Sequence, residues 1–475
     1  MLSPTEDEEK LPAVPVKRSP APRMKRRRHR PLKVANQLPQ KRRKEIEKAL
    51  EGKSSSPKKW ARGIGSKTHL FDRKRIKPAS IRKLDFSLLD VEIGESWPIP
   101  VTIIHGSRPG PVVTILGAVH GNELVGPLAL TYLCGPNFIG EGQDIDPSMM
   151  SGTIRIIPIV NIPGYRRQSR KFPDGRDLNR NFPGNDESNT TSRVANRIWE
   201  SIVRTSDHII DLHTAAPGRT NMPQIRANLA HPESNRIARS FGIETILDNE
   251  GPKGSLRRAA NKSGIGCITY EGGGSNEADP ESVQVAIYGI LNVLRGLRMI
   301  PGYPNRPYFR ILASGSAWIR SDQGGLLDIL APAGSFVDEG EVVATITDPE
   351  RPGISHDVLS PNRGLLICTA THPFVTAGTP IGHLLPMKSG IKTLQKRLDA
   401  EGCLIISGSD GEPPWREDDD VEDIAIEGEW SGGSPDAEWG HNDISSLEEE
   451  SQSMILDGIS TNSTMSSSSI ILLGN

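Results

Sequence analysis

Through the middle of the chain, apolar runs alternate with stretches of helical spacing. Residues 112–119 are apolar apart from one threonine, which predicts a buried strand, and 124–133 follow as a helix. A second strand is predicted over 153–160. A helix over 193–204 leads into a strand over 208–212. Residues 232–241 and 255–263 have helical spacing, and 266–271 reads as a strand. Val283, Ile287, Ile290, Leu291, Leu294 and Leu297 recur at three and four positions, marking one face of a long closing helix. Alternation of this kind predicts an α/β domain with a mostly parallel or mixed central sheet.

After Pro301-Gly302 the period changes. Short strand-like runs over 309–312, 317–319, 325–331, 341–347, 364–369 and 382–385 are separated by Gly-containing turns, as in a small all-β unit. Both ends are polar, though short helices are expected over 41–50 and 391–400. The expected division is a basic disordered tail at 1–75, a catalytic domain at 76–303, a small β domain at 304–388 and an acidic, Ser-rich disordered tail at 389–475.

Composition sharpens this division. The 475 residues carry a formal net charge of −1, but the balance hides opposed ends. Lys25-Arg-Arg-Arg-His-Arg30 and Lys41-Arg-Arg-Lys44 lie near one end, Arg416-Glu-Asp-Asp-Asp420 and Glu448-Glu-Glu450 near the other. Cys134, Cys267, Cys368 and Cys403 are widely spaced and form no metal or disulfide pattern, which points to a reducing, cytoplasmic setting. No run of about 18 apolar residues is present, and the acidic start lacks the apolar segment of a secretory signal.

Four segments carry candidate chemistry. His120-Gly-Asn-Glu123 follows the first strand, at the carboxyl end where functional side chains of open α/β sheets gather. Asp211-Leu-His213 closes another strand, and two-residue spacing puts Asp211 and His213 on one face. Two imidazoles and one carboxylate are the ligand set of a catalytic zinc site with one open position. A histidine at a strand end also serves as a packing or hydrogen-bonding residue. Asp211 could brace a ligand histidine or cap a helix. Tyr270-Glu-Gly-Gly-Gly274 offers a carboxylate with space around it, suited to moving protons. Within 170–184, Arg180 provides a planar fork for a carboxylate, Asn179 a neutral donor and Arg170 a cation able to face an oxyanion.

The order of these parts resembles the zinc carboxypeptidase-like hydrolases, and within them the succinylglutamate desuccinylase/aspartoacylase family. Gly117-Ala-Val-His-Gly-Asn-Glu-Leu-Val-Gly126, Asp177-Leu-Asn-Arg-Asn-Phe-Pro183, Asp211-Leu-His-Thr214 and Glu271-Gly-Gly273 carry the resemblance, over roughly 95–388. It implies a three-layer catalytic domain with a mixed sheet, and a small C-terminal β domain partly covering the active site. It implies one zinc ion per chain on His120, Glu123 and His213. Glu271 becomes the general acid/base. Asn179 and Arg180 fall where the family binds the substrate carboxylate, and Arg170 where it stabilises the oxyanion, with Arg166, Arg167 and Arg176 as competitors. The implied activity is hydrolysis of the amide of an N-acyl amino acid or related small molecule. A metallocarboxypeptidase acting on peptide C-termini is the alternative.

Residues 325–347 and 360–385 resemble the two halves of a barrel-sandwich hybrid, the fold of biotinyl and lipoyl domains. The intervening 348–357 contains no lysine, so neither biotin nor lipoate is expected. The basic clusters are a candidate surface for nucleic acid or anionic partners through counterion release. Homo-oligomerisation stays open, and no membrane association is expected.

Overall fold

In the computed structural model, which describes residues 66–90, 96–409 and 421–428, the N-terminal part is a hairpin, β1 (His69–Phe71) and β2 (Lys74–Ile76), followed by β3 (Ser80–Asp90) and β4 (Ser96–His105). The α/β core continues with β5 (Arg108–Gly117), α1 (Val125–Leu133), β6 (Ser151–Ile157), α2 (Ile162–Arg167) and α3 (Thr190–Ser201). Then come β7 (His208–His213), β8 (Arg219–Ala227), α4 (Pro232–Phe241), β9 (Thr245–Asp248), α5 (Leu256–Lys262), β10 (Gly266–Gly274) and α6 (Pro280–Gly296). Local chemistry sets the helix starts. Asn189, Ser255 and Asp279 each accept a hydrogen bond from a backbone N–H in the first turn of α3, α5 and α6, and Pro280 opens α6 where a missing N–H costs nothing.

The sheet is mixed. β5 lies parallel between β6 and β7, β7 is parallel to β10, and β8 pairs antiparallel with β10. Alternation decides the layers. Val113, Ile115, Ile210, Leu212, Ile268 and Tyr270 face a core built with α1, α4 and α6. Leu116, Ile209 and Cys267 face the opposite core, built with α3 and α5. A three-layer α/β/α domain results, with strand carboxyl ends aligned across β5, β7 and β10.

The C-terminal strands are β11 (Phe309–Ala313), β12 (Ala317–Arg320), β13 (Gly325–Ile329), β14 (Phe336–Val337), β15 (Val342–Thr347), β16 (Ser355–Leu359), β17 (Gly364–Ala370), β18 (Phe374–Val375) and β19 (Pro380–Pro386). A four-stranded sheet, β16-β15-β13-β18, packs on β12, β14, β17 and β19 around Ile319, Val337, Val343, Ile346, Leu366 and Leu384. The second layer does not stand apart. β17 pairs antiparallel with β8, so among the described residues fourteen strands form one continuous sheet.

The boundaries differ from those expected at three places. β11 pairs parallel with β9 and belongs to the sheet of the α/β domain, although its sequence falls within the run assigned to the β domain. The hairpin β1–β2 lies in the stretch assigned to the basic tail; Phe71 and Ile76 anchor it in the core while its charged neighbours face solvent. Residues 389–409 are folded rather than a free tail. They include α7 (Ile391–Gln395), and beyond them β20 (Glu422–Ile426) adds a parallel edge strand to β11. Leu394, Leu404, Ile406, Ile424 and Ile426 bury their side chains in the main core, enough apolar surface to hold a segment that is otherwise acidic. The helix expected over 41–50 and the basic clusters lie outside the described residues. No helix among the described residues is long and apolar enough to cross a membrane.

Candidate active site

The site lies on the α3/α5 side of the sheet, at the carboxyl ends of three adjacent parallel strands. β5 ends just before His120, β7 ends on His213, and β10 carries Glu271 in register with His213. Close approach makes the first loop possible: a Cβ on Gly121 would lie 2.1 Å from the Gly164 carbonyl carbon, so only glycine lets the His120 turn nest against α2.

His120, Glu123 and His213 are buried, and their ligand atoms lie within 4.8 Å of one another. His120 Nδ1 is 2.6 Å from Glu123 Oε1, His213 Nδ1 is 2.8 Å from Glu123 Oε2, and the two Nδ1 atoms are 3.1 Å apart. Both rings turn their other nitrogen to a carboxylate. His120 Nε2 lies 3.1 Å from Asp177 Oδ1, and His213 Nε2 2.8 Å from Asp211 Oδ2. This arrangement orients a histidine ligand and fixes its tautomer. With His120 Nε2 turned to Asp177 and His213 Nε2 close to Asp211, the two Nδ1 atoms and a carboxylate face one centre, a donor set suited to a divalent cation. Asp211 therefore stands where a bracing carboxylate would. Asp177, which the sequence reading assigned no role, does the same for the other ring.

Charge is concentrated here. Burial pushes the Glu123 carboxyl up, but the imidazoles of His120 and His213 outweigh it and hold it below the usual carboxylate range. Asp177 is likewise opposed by burial, then pulled well down by Arg170 and His120. Burial depresses His213, yet Asp211 and Glu123 carry it well above the ordinary histidine value. Arg170 closes the cluster, its Nη1 3.2 Å from Glu123 Oε1 and its Nη2 3.0 Å from Asp177 Oδ2. Arg166, Arg167 and Arg176 are exposed, Arg176 pairing with Asp174, and none of them lines the cleft.

Glu271 faces the same cleft, which encloses about 810 Å³ including its open mouth. Asn221 Nδ2 donates to Glu271 Oε2 at 3.0 Å, and Arg226 Nη1 lies 3.3 Å from Oε1. Asn179 and Arg180 line the other wall on a short turn, Leu178–Arg180. The Asn179 backbone N–H donates to Asp177, while its side-chain oxygen accepts from Leu256 N at the start of α5. The predicted residues thus converge on one cleft. Sequence reasoning missed Asn221 and Arg226, both on β8, and Trp318 and His383, which reach the cleft from the C-terminal strands.

Comparison with known proteins places this geometry among relatives. Residues 109–297 match the family model described as the succinylglutamate desuccinylase/aspartoacylase catalytic domain. The N-alpha-acetyl-L-2,4-diaminobutyric acid deacetylase of Halomonas elongata is 27% identical over 269 residues, spanning 54% of this chain and 76% of that protein. Solved structures share the fold, these two among them. The product-bound ectoine utilization protein EutE (DoeB) from Ruegeria pomeroyi has a TM-score of 0.57 at 21% identity, over 64% of this chain and 94% of its own. The succinylglutamate desuccinylase/aspartoacylase from Rhodobacter sphaeroides has a TM-score of 0.58 at 23% identity, over 65% and 96%.

Proposed function

We propose that this chain, whose residues 109–297 form a catalytic domain of the succinylglutamate desuccinylase/aspartoacylase family, is a zinc-dependent amidohydrolase that removes the acyl group from an N-acyl amino acid. The observation that carries the reading is the convergence of three buried donors, His120, Glu123 and His213, each imidazole braced by its own carboxylate. The named activity of the Halomonas elongata relative supports the substrate class.

His120 Nδ1, a Glu123 oxygen and His213 Nδ1 would hold the zinc ion. When bound, it supplies a Lewis acid that acidifies water and polarises the amide carbonyl. Glu271 takes a proton from the attacking water and later delivers it to the leaving amine. Asn221 and Arg226 fix where its carboxylate sits. Arg170 presents N–H donors beside the ligand cluster, where negative charge develops on the carbonyl oxygen. Arg180, with Asn179, holds the substrate carboxylate and turns binding into orientation. The products are a carboxylate and a free amine.

The test combines metal content with turnover. Gently isolated protein should hold about one zinc per chain and release amine from a panel of N-acyl amino acids. Glu271→Gln should keep the metal and lose at least about a hundredfold in rate, the scale of general acid/base catalysis. Absence of stoichiometric zinc, or an unchanged rate in the Gln variant, would overturn the mechanism. Release of C-terminal residues from short peptides, with acyl amino acids untouched, would make the chain a carboxypeptidase instead.

A further inference from the structure

The hairpin β1–β2 is fastened to the fold, yet none of its residues lines the cleft, and it lies ahead of residues 109–297, which match the family model. Its inner side is anchored. The Phe71 ring packs on Phe86, with centroids 5.7 Å apart, and the Arg155 guanidinium lies 5.1 Å from the Phe71 centroid. Arg155 Nη2 donates to His69 Nε2 at 3.0 Å. Burial and the Arg155 charge push His69 down to about 4, so near neutral pH the ring stays uncharged and keeps accepting.

Its outer side is cationic. Lys67, Arg73, Lys74, Arg75 and Lys77 are exposed on the hairpin or beside it. Arg82 is exposed on β3, and alternation puts it on the face of Leu84 and Phe86, where the hairpin packs. Asp72, the one acid within 66–83, is engaged by Arg197 Nη2 at 3.2 Å. The tip is strained. Asp72 and Arg73 have φ of 45° and 61°, the left-handed pair of a two-residue hairpin turn, where glycine or asparagine is the usual choice. An arginine there costs local stability and places a cation at the apex of the ribbon. The chain leading in has the same sign: residues 1–83 contain 26 Lys and Arg against eight Asp and Glu.

The apolar residues narrow the choice of polyanion. Phe71 and Phe86 are the only aromatic rings of Phe, Tyr or Trp within 66–90, and both are buried, so no such ring on this stretch offers a platform for an unpaired base. Leu70 is exposed on the hairpin, while Ile81 falls on the opposite face of β3, so the two form no joint patch for insertion into a lipid surface. A two-stranded ribbon is admitted by the major groove of B-form DNA, whereas that of A-form RNA is deep and narrow.

We propose that β1–β2 and the start of β3 form a sequence-independent binding face for double-stranded DNA, its cations meeting the phosphate backbone and releasing counterions. This face is independent of the hydrolase reading.

The full-length protein provides the test. Anisotropy of a labelled duplex of mixed sequence, about 20 base pairs long, is followed between about 50 and 200 mM salt. Affinity should fall steeply with salt and exceed that for an RNA duplex of the same sequence. Joint substitution of Arg73→Gln, Lys74→Gln and Arg75→Gln should weaken binding at least about tenfold at the lower salt. It should flatten the slope of log affinity against log salt by about two to three, near 0.9 for each lost phosphate contact. Arg73→Gly suits the left-handed turn, so it should melt no lower than the parent and still flatten the slope by about 0.9. An unchanged slope in the triple variant would overturn the proposal. So would an RNA duplex bound as tightly as the DNA. Binding to phosphatidylcholine vesicles with about a quarter phosphatidylserine, without binding to the duplex, would give the face to membranes instead. Duplex binding that appears only with Glu417→Gln, Asp418→Asn, Asp419→Asn and Asp420→Asn together would give it to the chain's own acidic segment.

Discussion

At the scale of single residues, the two histidines proposed as ligands are set by groups outside the candidate metal site. His120 Nε2 meets Asp177 Oδ1, and the same carboxylate receives Arg170 and the Asn179 backbone N–H. Asp177→Asn removes the negative charge yet leaves an oxygen that can still accept. Zinc affinity should fall by about ten- to a hundredfold, the usual consequence of losing a bracing carboxylate. Competition with a chromogenic chelator measures this directly, and unchanged affinity would show that Asp177 serves the loop alone. The sequence displayed His120, Glu123, His213 and Glu271 because each residue type sits at the end of an apolar run, where a polar side chain has few structural reasons to be. Asp177 was in plain view inside a quoted motif. Its role was hidden because it is set by a contact fifty-seven positions away, which no local pattern encodes.

At the scale of elements, the loop between β5 and α1 is shaped by what packs behind it. A methyl group on Gly121 would meet backbone atoms of Gly164 and Tyr165 at 2.1 and 2.2 Å, and backbone cannot step aside as a flexible side chain can. Gly121→Ala should cost at least about 1–3 kcal/mol by overpacking, with weaker zinc binding as His120 is displaced. Urea denaturation of the zinc-free protein separates the two effects: a midpoint equal to the parent's would refute the packing argument. Elements with a strong period were legible. The expected helix over 124–133 corresponds to Val125–Leu133 and the closing helix to Pro280–Gly296; the helix expected from 193 begins at Thr190 because Asn189 caps it. Strand β8 was not read. It carries Pro223 and the polar residues Arg219, Asn221, Gln224 and Arg226, which look like a loop. Arg219, Asn221 and Arg226 are tolerated because they line the cleft, so three of the features that hid the strand are the ones that bring it to the candidate site.

At the scale of the whole molecule, the C-terminal chain returns to the α/β domain and ties itself to one buried acid. Glu244 is fully buried at the start of β9, accepting from the Ser407 backbone N–H at 3.0 Å and from the Ser407 hydroxyl. Burial raises its carboxyl above the ordinary value of 4.5, opposed by those hydrogen bonds and by the charge of Arg397. The folded state therefore binds this proton more tightly than the unfolded chain. The stability Glu244 contributes is fully present below about pH 4.5 and is lost as pH rises through the raised value. Glu244→Gln keeps an oxygen for the Ser407 N–H and an amide that can donate to its hydroxyl, and it does not ionise. Its melting temperature relative to the parent should rise with pH through that window and level off above it. Other titrating groups cancel in this difference because both proteins carry them. A difference that is flat from pH 4 to 8 would mean that Glu244 keeps the same protonation state folded and unfolded.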